Sequence, residues 1–376
     1  MSLATPELVP SPAKIPVVPA QPGHPHTRLL ALDGLRLAAA LMVCLYHYTG
    51  RGGVVSASWH QNPEHVFPTL SRAAAYGCFG VEFFFVISGF VICMSSWGRS
   101  LGDFFRSRAA RLYPAYWVAL VLVTGASLIL PAVVRAVRLD EFLVNLTMLQ
   151  QPMGVPRVLG VCWTLWVEVR FYALFALAVV LPGVTYRRVV LFCSVWTLAA
   201  VLSTAAGDGS WAQLIVMPQY APYFIGGLAL YLVHRFGRRL LLPWGIVALS
   251  WILGLRTATE GLWQPGAARN PYVVMVVVTL AFAAVAAVAA GWTRWAAWPW
   301  LTTAGALTYP FYLVHEHLGW FVIRVLHRGW GLPPWPTVAV TVLGMLGLAW
   351  LIHRFVETPF GPRLRRALKA VPPAPG

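Results

Sequence analysis

An arginine and a histidine stand eleven residues apart inside one apolar run. Leu29–Gly50 reads L-L-A-L-D-G-L-R-L-A-A-A-L-M-V-C-L-Y-H-Y-T-G and carries Arg36 and His47. At 100° per residue, eleven residues turn a regular helix three times plus about 20°, so both side chains project from one face, roughly 16 Å apart along the axis. Ionisable groups at membrane depth are costly and mark sites or polar pathways. Asp33 lies three residues before Arg36 and is placed to satisfy it inside a bundle. Gly80–Phe90, G-V-E-F-F-F-V-I-S-G-F, sets one carboxylate, Glu82, among phenylalanines, where it needs a cationic partner; His47 or Arg36 supplies one.

Other residues suit phosphate binding or line the same interior. R-S-R-A-A-R-L-Y-P puts Arg108 and Arg111 three apart, on one face if helical, and paired guanidinium groups match a phosphate or pyrophosphate. Trp163–Tyr172, W-T-L-W-V-E-V-R-F-Y, adds Trp163, Glu168 and Arg170, and Gly305–His317 adds Tyr309, Tyr312, His315, Glu316 and His317. The H-E-H triplet is not expected to hold a metal, because successive helical residues point about 100° apart and the two histidines diverge. Ser88 is no nucleophile elbow, since no G-x-S-x-G surrounds it; with Gly89 it reads as a close-packing position.

The elements that must position these groups are membrane helices. Hydrophobic residues make up 59% of the 376 and charged ones 11%, against about 25% charged in soluble domains. Long continuous apolar runs exclude a β-barrel. The expectation is an all-α polytopic transmembrane bundle of ten spans, at 29–50, 76–97, 113–131, 163–182, 189–206, 217–234, 241–255, 272–290, 305–325 and 336–353. Glu141–Gln150 is too short to span and reads as an interfacial or re-entrant piece. The net charge of +16 is no nucleic-acid signal: most of it lies in short loops, where 17 basic residues fall on one side and 9 on the other. That bias places both termini in the cytoplasm of a multi-pass plasma-membrane protein. Residues 1–28, with seven prolines, read as a disordered cytoplasmic tail, 29–362 as the membrane domain, and 363–376 as a basic, proline-rich cytoplasmic tail.

Taken together, these motifs resemble the acyltransferase 3 family of bacterial membrane O-acyltransferases. The resemblance rests on L-D-G-L-R at 32–36 with His47 eleven after the Arg, G-V-E-F-F-F-V-I-S-G-F, R-A-A-R at 108–111, W-T-L-W-V-E-V-R-F-Y, T-Y-P-F-Y-L-V-H at 308–315 and E-T-P at 357–359. Glu82, Thr164 and Thr308 stand where the family often has Asp, Ser and Ser. The resemblance implies acyl transfer from acyl-CoA to a hydroxyl, with Arg36 and His47 essential. A surface polysaccharide and a macrolide-type metabolite both fit as acceptor. Acyl-CoA is then a co-substrate, with no permanently bound cofactor.

The expected mechanism makes His47 the general base, because imidazole titrates near neutrality. Glu82 orients it or stabilises the imidazolium, Arg36 stabilises the thioester oxygen or binds the donor, and Arg108 and Arg111 hold the phosphates. Asp33, Trp163, Glu168, Tyr309, Tyr312 and His315 complete the lining. The alternative is a secondary transporter using the same charges as a polar pathway.

Overall fold

The computed structural model describes residues 29–207, 211–260 and 269–370. The tail expected at 1–28 lies outside them. Among the described residues there is no strand, and the long helices are numbered here in chain order. They are α1 (Leu30–Leu45, continued by a π-helical turn Tyr46–Gly50), α2 (Gly80–Ser96), α3 (Leu101–Ile129), α4 (Trp163–Phe175), α5 (Tyr186–Ala205) and α6 (Ala221–Phe236). There follow α7 (Leu241–Glu260), α8 (Pro271–Ala289), α9 (Trp300–Ile323), α10 (Pro334–Ile352) and α11 (Thr358–Ala370).

Their starts follow local chemistry. The Ser100 hydroxyl accepts from the Asp103 N–H at 3.1 Å to cap α3, and the Asn270 side chain accepts from the Tyr272 N–H at 2.9 Å ahead of Pro271 in α8. Eight helical segments of the described residues are long and apolar enough to cross a membrane. The places of the sixth and ninth expected spans are taken by α6 and α9, which fall outside those eight. Of these, α6 has only 16 residues, about 24 Å at 1.5 Å each, and α9 carries the charged triplet. Glu141–Gln150 is a short helix, Leu139–Asn145, followed by a turn, and does not span. Residues 358–370 form α11, so most of the basic tail is helical, with Gly361 against the Ala110 carbonyl of α3.

The core is built around α6, whose residues 221–233 are all buried, as a helix apolar on every side requires. It packs on α2 with backbones almost touching. A Cβ on Gly227 would strike the Val86 carbonyl, and one on Gly89 the Phe224 carbonyl, so only glycine admits this approach. The aromatic stack Phe85–Phe224–Phe171, at centroid distances of 4.6 and 4.2 Å, ties α2, α6 and α4 together. Outside this core, Leu198, Leu202, Leu280 and Leu343 expose large apolar surface, as lipid-facing residues must. Exposed tryptophans gather at 292–300, before α9, and at 330 and 335, after it, as interfacial belts do.

Candidate active site

His47 lies in the π-helical turn that ends α1. A π-turn closes i→i+5 and is wider than an α-turn. The last turn of a helix leaves carbonyls without intrahelical donors. Here two indoles supply them: Trp320 Nε1 donates to the His47 carbonyl at 3.0 Å and Trp59 Nε1 to the Tyr48 carbonyl at 2.8 Å. The Tyr48 hydroxyl donates to the His315 carbonyl at 2.7 Å, entering where Gly319 leaves room, and so clamps α1 to α9.

That clamp brings His47 onto His315, Nδ1 to Nε2, at 3.0 Å. The proton positions follow from the partners. Nδ1 of His315 faces the carbonyls of Tyr312 at 2.9 Å and Phe311 at 3.3 Å, and carbonyls only accept. Nδ1 of His315 is therefore the N–H, its Nε2 is the acceptor, and His47 must donate from Nδ1. The lone pair of neutral His47 is then on Nε2, which stands 3.5 Å from Glu316 Oε1. Arg51 Nη1 donates to that same oxygen at 3.1 Å. Glu316 is buried, packed against Gly160 where any Cβ would collide with it, and among the described residues its Oε2 has no hydrogen-bond partner. His317 turns elsewhere, to the Val158 carbonyl at 2.8 Å. Among the described residues no group of three or more His, Cys, Asp or Glu could hold a metal ion.

A cavity of about 80 Å³ lies beside this cluster, room for several waters where one needs about 10–15 Å³. Arg36, Arg108, Arg111, Glu168, Tyr309 and Tyr312 line it. A second cavity of about 380 Å³ shares Arg36, Arg111, Val91 and Tyr309 with the first and adds Asp33 and Glu357. Arg36 thus stands at the junction of the two, with Asp33 and Glu168 as the carboxylates in electrostatic reach. Ser88 donates to Glu168 at 2.5 Å, and Arg108 donates to the Ser95 hydroxyl at 3.1 Å. The Tyr312 hydroxyl pairs with Thr164 at 3.1 Å and its ring lies 5.5 Å from that of His315, which makes it the partition between cavity and histidine pair.

The structure rearranges the expected constellation. Glu82 makes no hydrogen bond or ion pair with His47 or Arg36 among the described residues. It lies instead near Tyr220, Tyr223, Cys78 and Arg269, its Oε2 buried without a partner. The carboxylate against His47 is Glu316. The reason is helix pairing: α1 meets α9 through the Tyr48 clamp, while Glu82 faces the α6 side of α2. Arg36 and His47 do not share one cavity lining: Arg36 is in both, His47 in neither, as their separation of roughly 16 Å along α1 allows. Trp163 meets the Tyr220 ring at a tilt, 5.7 Å between centroids, and is not among the cavity walls. Of the packing pair, Gly89 packs as expected, whereas Ser88 is a hydrogen-bond donor to Glu168. Arg108 and Arg111 belong to the continuous helix α3, not to a loop, and both reach the first cavity. Glu316 was readable in principle, since a carboxylate in mid-span needs cationic company and Arg51 follows His47 by four residues.

Comparison with known proteins identifies the family. The chain is 27% identical over 374 residues to the acyltransferase MdmB of Streptomyces mycarofaciens, covering 88% of this chain and 91% of that one. It is 38% identical over 116 residues to the exopolysaccharide production protein ExoZ of Rhizobium meliloti (strain 1021), covering 28% of this chain and 35% of that protein. It is 32% identical over 108 residues to protein 2 in the picA locus of Rhizobium radiobacter, covering 27% and 47%. No solved structure shows a significant match. The model of the acyltransferase 3 family, described as an acyltransferase domain, matches residues 29–354. The chain belongs to that family and is an acyltransferase of groups other than amino-acyl groups.

Proposed function

We propose that this protein transfers an acyl group, acetyl first among them, from acyl-CoA to a hydroxyl of a carbohydrate or glycosylated metabolite, with His47 as general base. The observation that carries this reading is the His47–His315–Glu316 cluster standing beside a cavity that is basic at its other end. His47 spends its Nδ1–H on His315, so Nε2 is left to take a proton. As the acceptor oxygen attacks the thioester carbonyl, its proton passes to Nε2. The imidazolium so formed sits 3.5 Å from Glu316, which a carboxylate stabilises without itself being protonated. Collapse of the tetrahedral intermediate breaks the carbon–sulfur bond, and the thiolate of CoA recovers the proton from His47. The role first expected of Glu82 passes to Glu316.

Each substrate has a side. Arg108 and Arg111 take the donor's phosphates, charge-assisted contacts that suit guanidinium groups. The pantetheine arm passes Arg36 through the joined cavities, and rotation of Tyr312 admits the thioester to the histidines. The acceptor approaches past Arg51, whose side chain is 40% exposed while it holds Glu316. The extensive likeness to an acyltransferase and the partial likeness to an exopolysaccharide production protein support an acyl transfer to a glycan-type hydroxyl.

The test uses the purified full-length protein in lipid nanodiscs with acetyl-CoA and a panel of polysaccharide and glycosylated-metabolite acceptors. Acceptor-dependent release of free thiol, lost in His47→Ala, is the expected result. Thiol release that persists in a folded His47→Ala protein would overturn the assignment of the base.

A further inference from the structure

The three consecutive phenylalanines of α2 meet three different surroundings. Phe83 is buried outside the cavity lining. Phe85 is locked between the rings of Tyr220 at 5.4 Å and Phe224 at 4.6 Å. Phe84, between them, is only partly buried; it lines the cavity and meets Tyr312 edge to face, at 5.5 Å and 71°. The Tyr312 ring is itself held by its hydrogen bond to Thr164.

Polarity divides this cavity along α2. Val91 marks the end shared with the second cavity, where Arg36 and Arg111 stand. Val81, ten residues earlier, lies roughly 15 Å away along the helix. Around it the walls are Phe84, Phe85 and Leu165, with no charged side chain, and Tyr312 marks the edge nearest the histidines. An acyl-CoA has the same sequence of polarities: phosphates, a narrow amide arm, a thioester, then hydrocarbon. Its phosphates belong at the arginine end, its carbonyl at the Tyr312 edge, and its acyl chain against Val81, Phe84 and Leu165.

We propose that Val81, Phe84 and Leu165 form the acyl pocket and that Phe84 sets its depth, admitting short unbranched groups such as acetyl and propionyl and excluding hexanoyl and longer ones. This rests on the donor reading above. Phe84 is the wall that can be moved, because its neighbour Phe85 is pinned in the aromatic core, whereas Phe84 meets a single ring among the described residues. Truncating it opens space continuous with the existing cavity.

The experiment measures kcat/KM for acetyl-, butyryl- and hexanoyl-CoA with the wild type, Phe84→Ala, Phe84→Leu and Leu165→Phe in nanodiscs. Wild type is expected to favour acetyl. Phe84→Ala should raise the hexanoyl-to-acetyl ratio by about fourfold for each methylene newly buried, and Phe84→Leu by less. Leu165→Phe should lower the butyryl-to-acetyl ratio, which keeps the inference testable if Phe84→Ala folds poorly. Ratios unchanged in all three variants, with a wild type that turns over acetyl-CoA, overturn the pocket and leave the donor reading standing. A wild type that consumes none of the three donors overturns the donor reading, and the pocket with it.

Discussion

Two helix seams of this protein each bury a glutamate, and they treat it in opposite ways. At the α1–α9 seam, Glu316 touches His47 at 3.5 Å and Arg51 at 3.1 Å, inside a frame of Tyr48, Trp59 and Trp320 hydrogen bonds. At the α2–α6 seam, Glu82 has one buried oxygen with no hydrogen-bond partner among the described residues and lies near Tyr220, Tyr223 and Arg269. The first seam is polar and its groups are aimed at one another. The second is held by glycine contacts and ring stacking, and its carboxylate is incidental to that packing. A buried charge is informative about chemistry only when its partners are known, because desolvation alone does not say what the group is for.

The largest expected effect tests the polar seam directly. His47→Ala should lower kcat by about 10²–10⁴-fold while the protein still inserts and folds, as loss of a general base does. Steady-state transfer rates on protein that elutes as a single species decide it. Glu316→Gln comes next: it keeps the shape but removes the charge that stabilises the imidazolium, and kcat should fall at least tenfold with little change in donor KM. A Glu316→Gln enzyme of wild-type rate breaks the contrast between the seams.

Arg108→Ala with Arg111→Ala sharpens the contrast by moving to binding. Each charge-assisted hydrogen bond is worth about 1.5–3 kcal/mol, so donor KM should rise at least tenfold, and added salt should weaken donor binding in the wild type. Unchanged donor affinity in the double variant would confine these arginines to topology. Gly227→Ala probes the other seam through stability: forcing a methyl against the Val86 carbonyl should cost about 1–3 kcal/mol, read as a lowered thermal midpoint. Glu82→Gln is expected to do least, within a few-fold of wild-type kcat. A loss there matching that of Glu316→Gln would show that the aromatic seam also takes part in the reaction.

Much of this architecture is legible in the residues themselves, and the failures have a common cause. The helices at the places of the expected spans, the short piece at 139–145 and the packing role of Gly89 follow from composition or local pattern, and Arg36, Glu168, Tyr309 and Tyr312, named as lining candidates, stand on the wall of the first cavity. The pairing of Glu82 with His47 requires that α1 and α2 share the site and that α1 is regular to its end. Helices α1 and α2 do both line the first cavity, but the partners of His47 come from α9, and His47 itself sits in the π-helical turn past the regular part of α1.

By itself, the sequence determined that this is an all-α membrane protein and where along the chain its ionisable side chains fall within the spans. Apolar length and residue type are local properties, and the bilayer converts them almost directly into spans. Only the tertiary structure decided who meets whom. His47 and His315 are 268 residues apart, brought to 3.0 Å by helices whose neighbours no local pattern specifies. The imidazole sits in the π-helical turn Tyr46–Gly50, and the carboxylate beside it is Glu316 because that is the helix the Tyr48 clamp holds there.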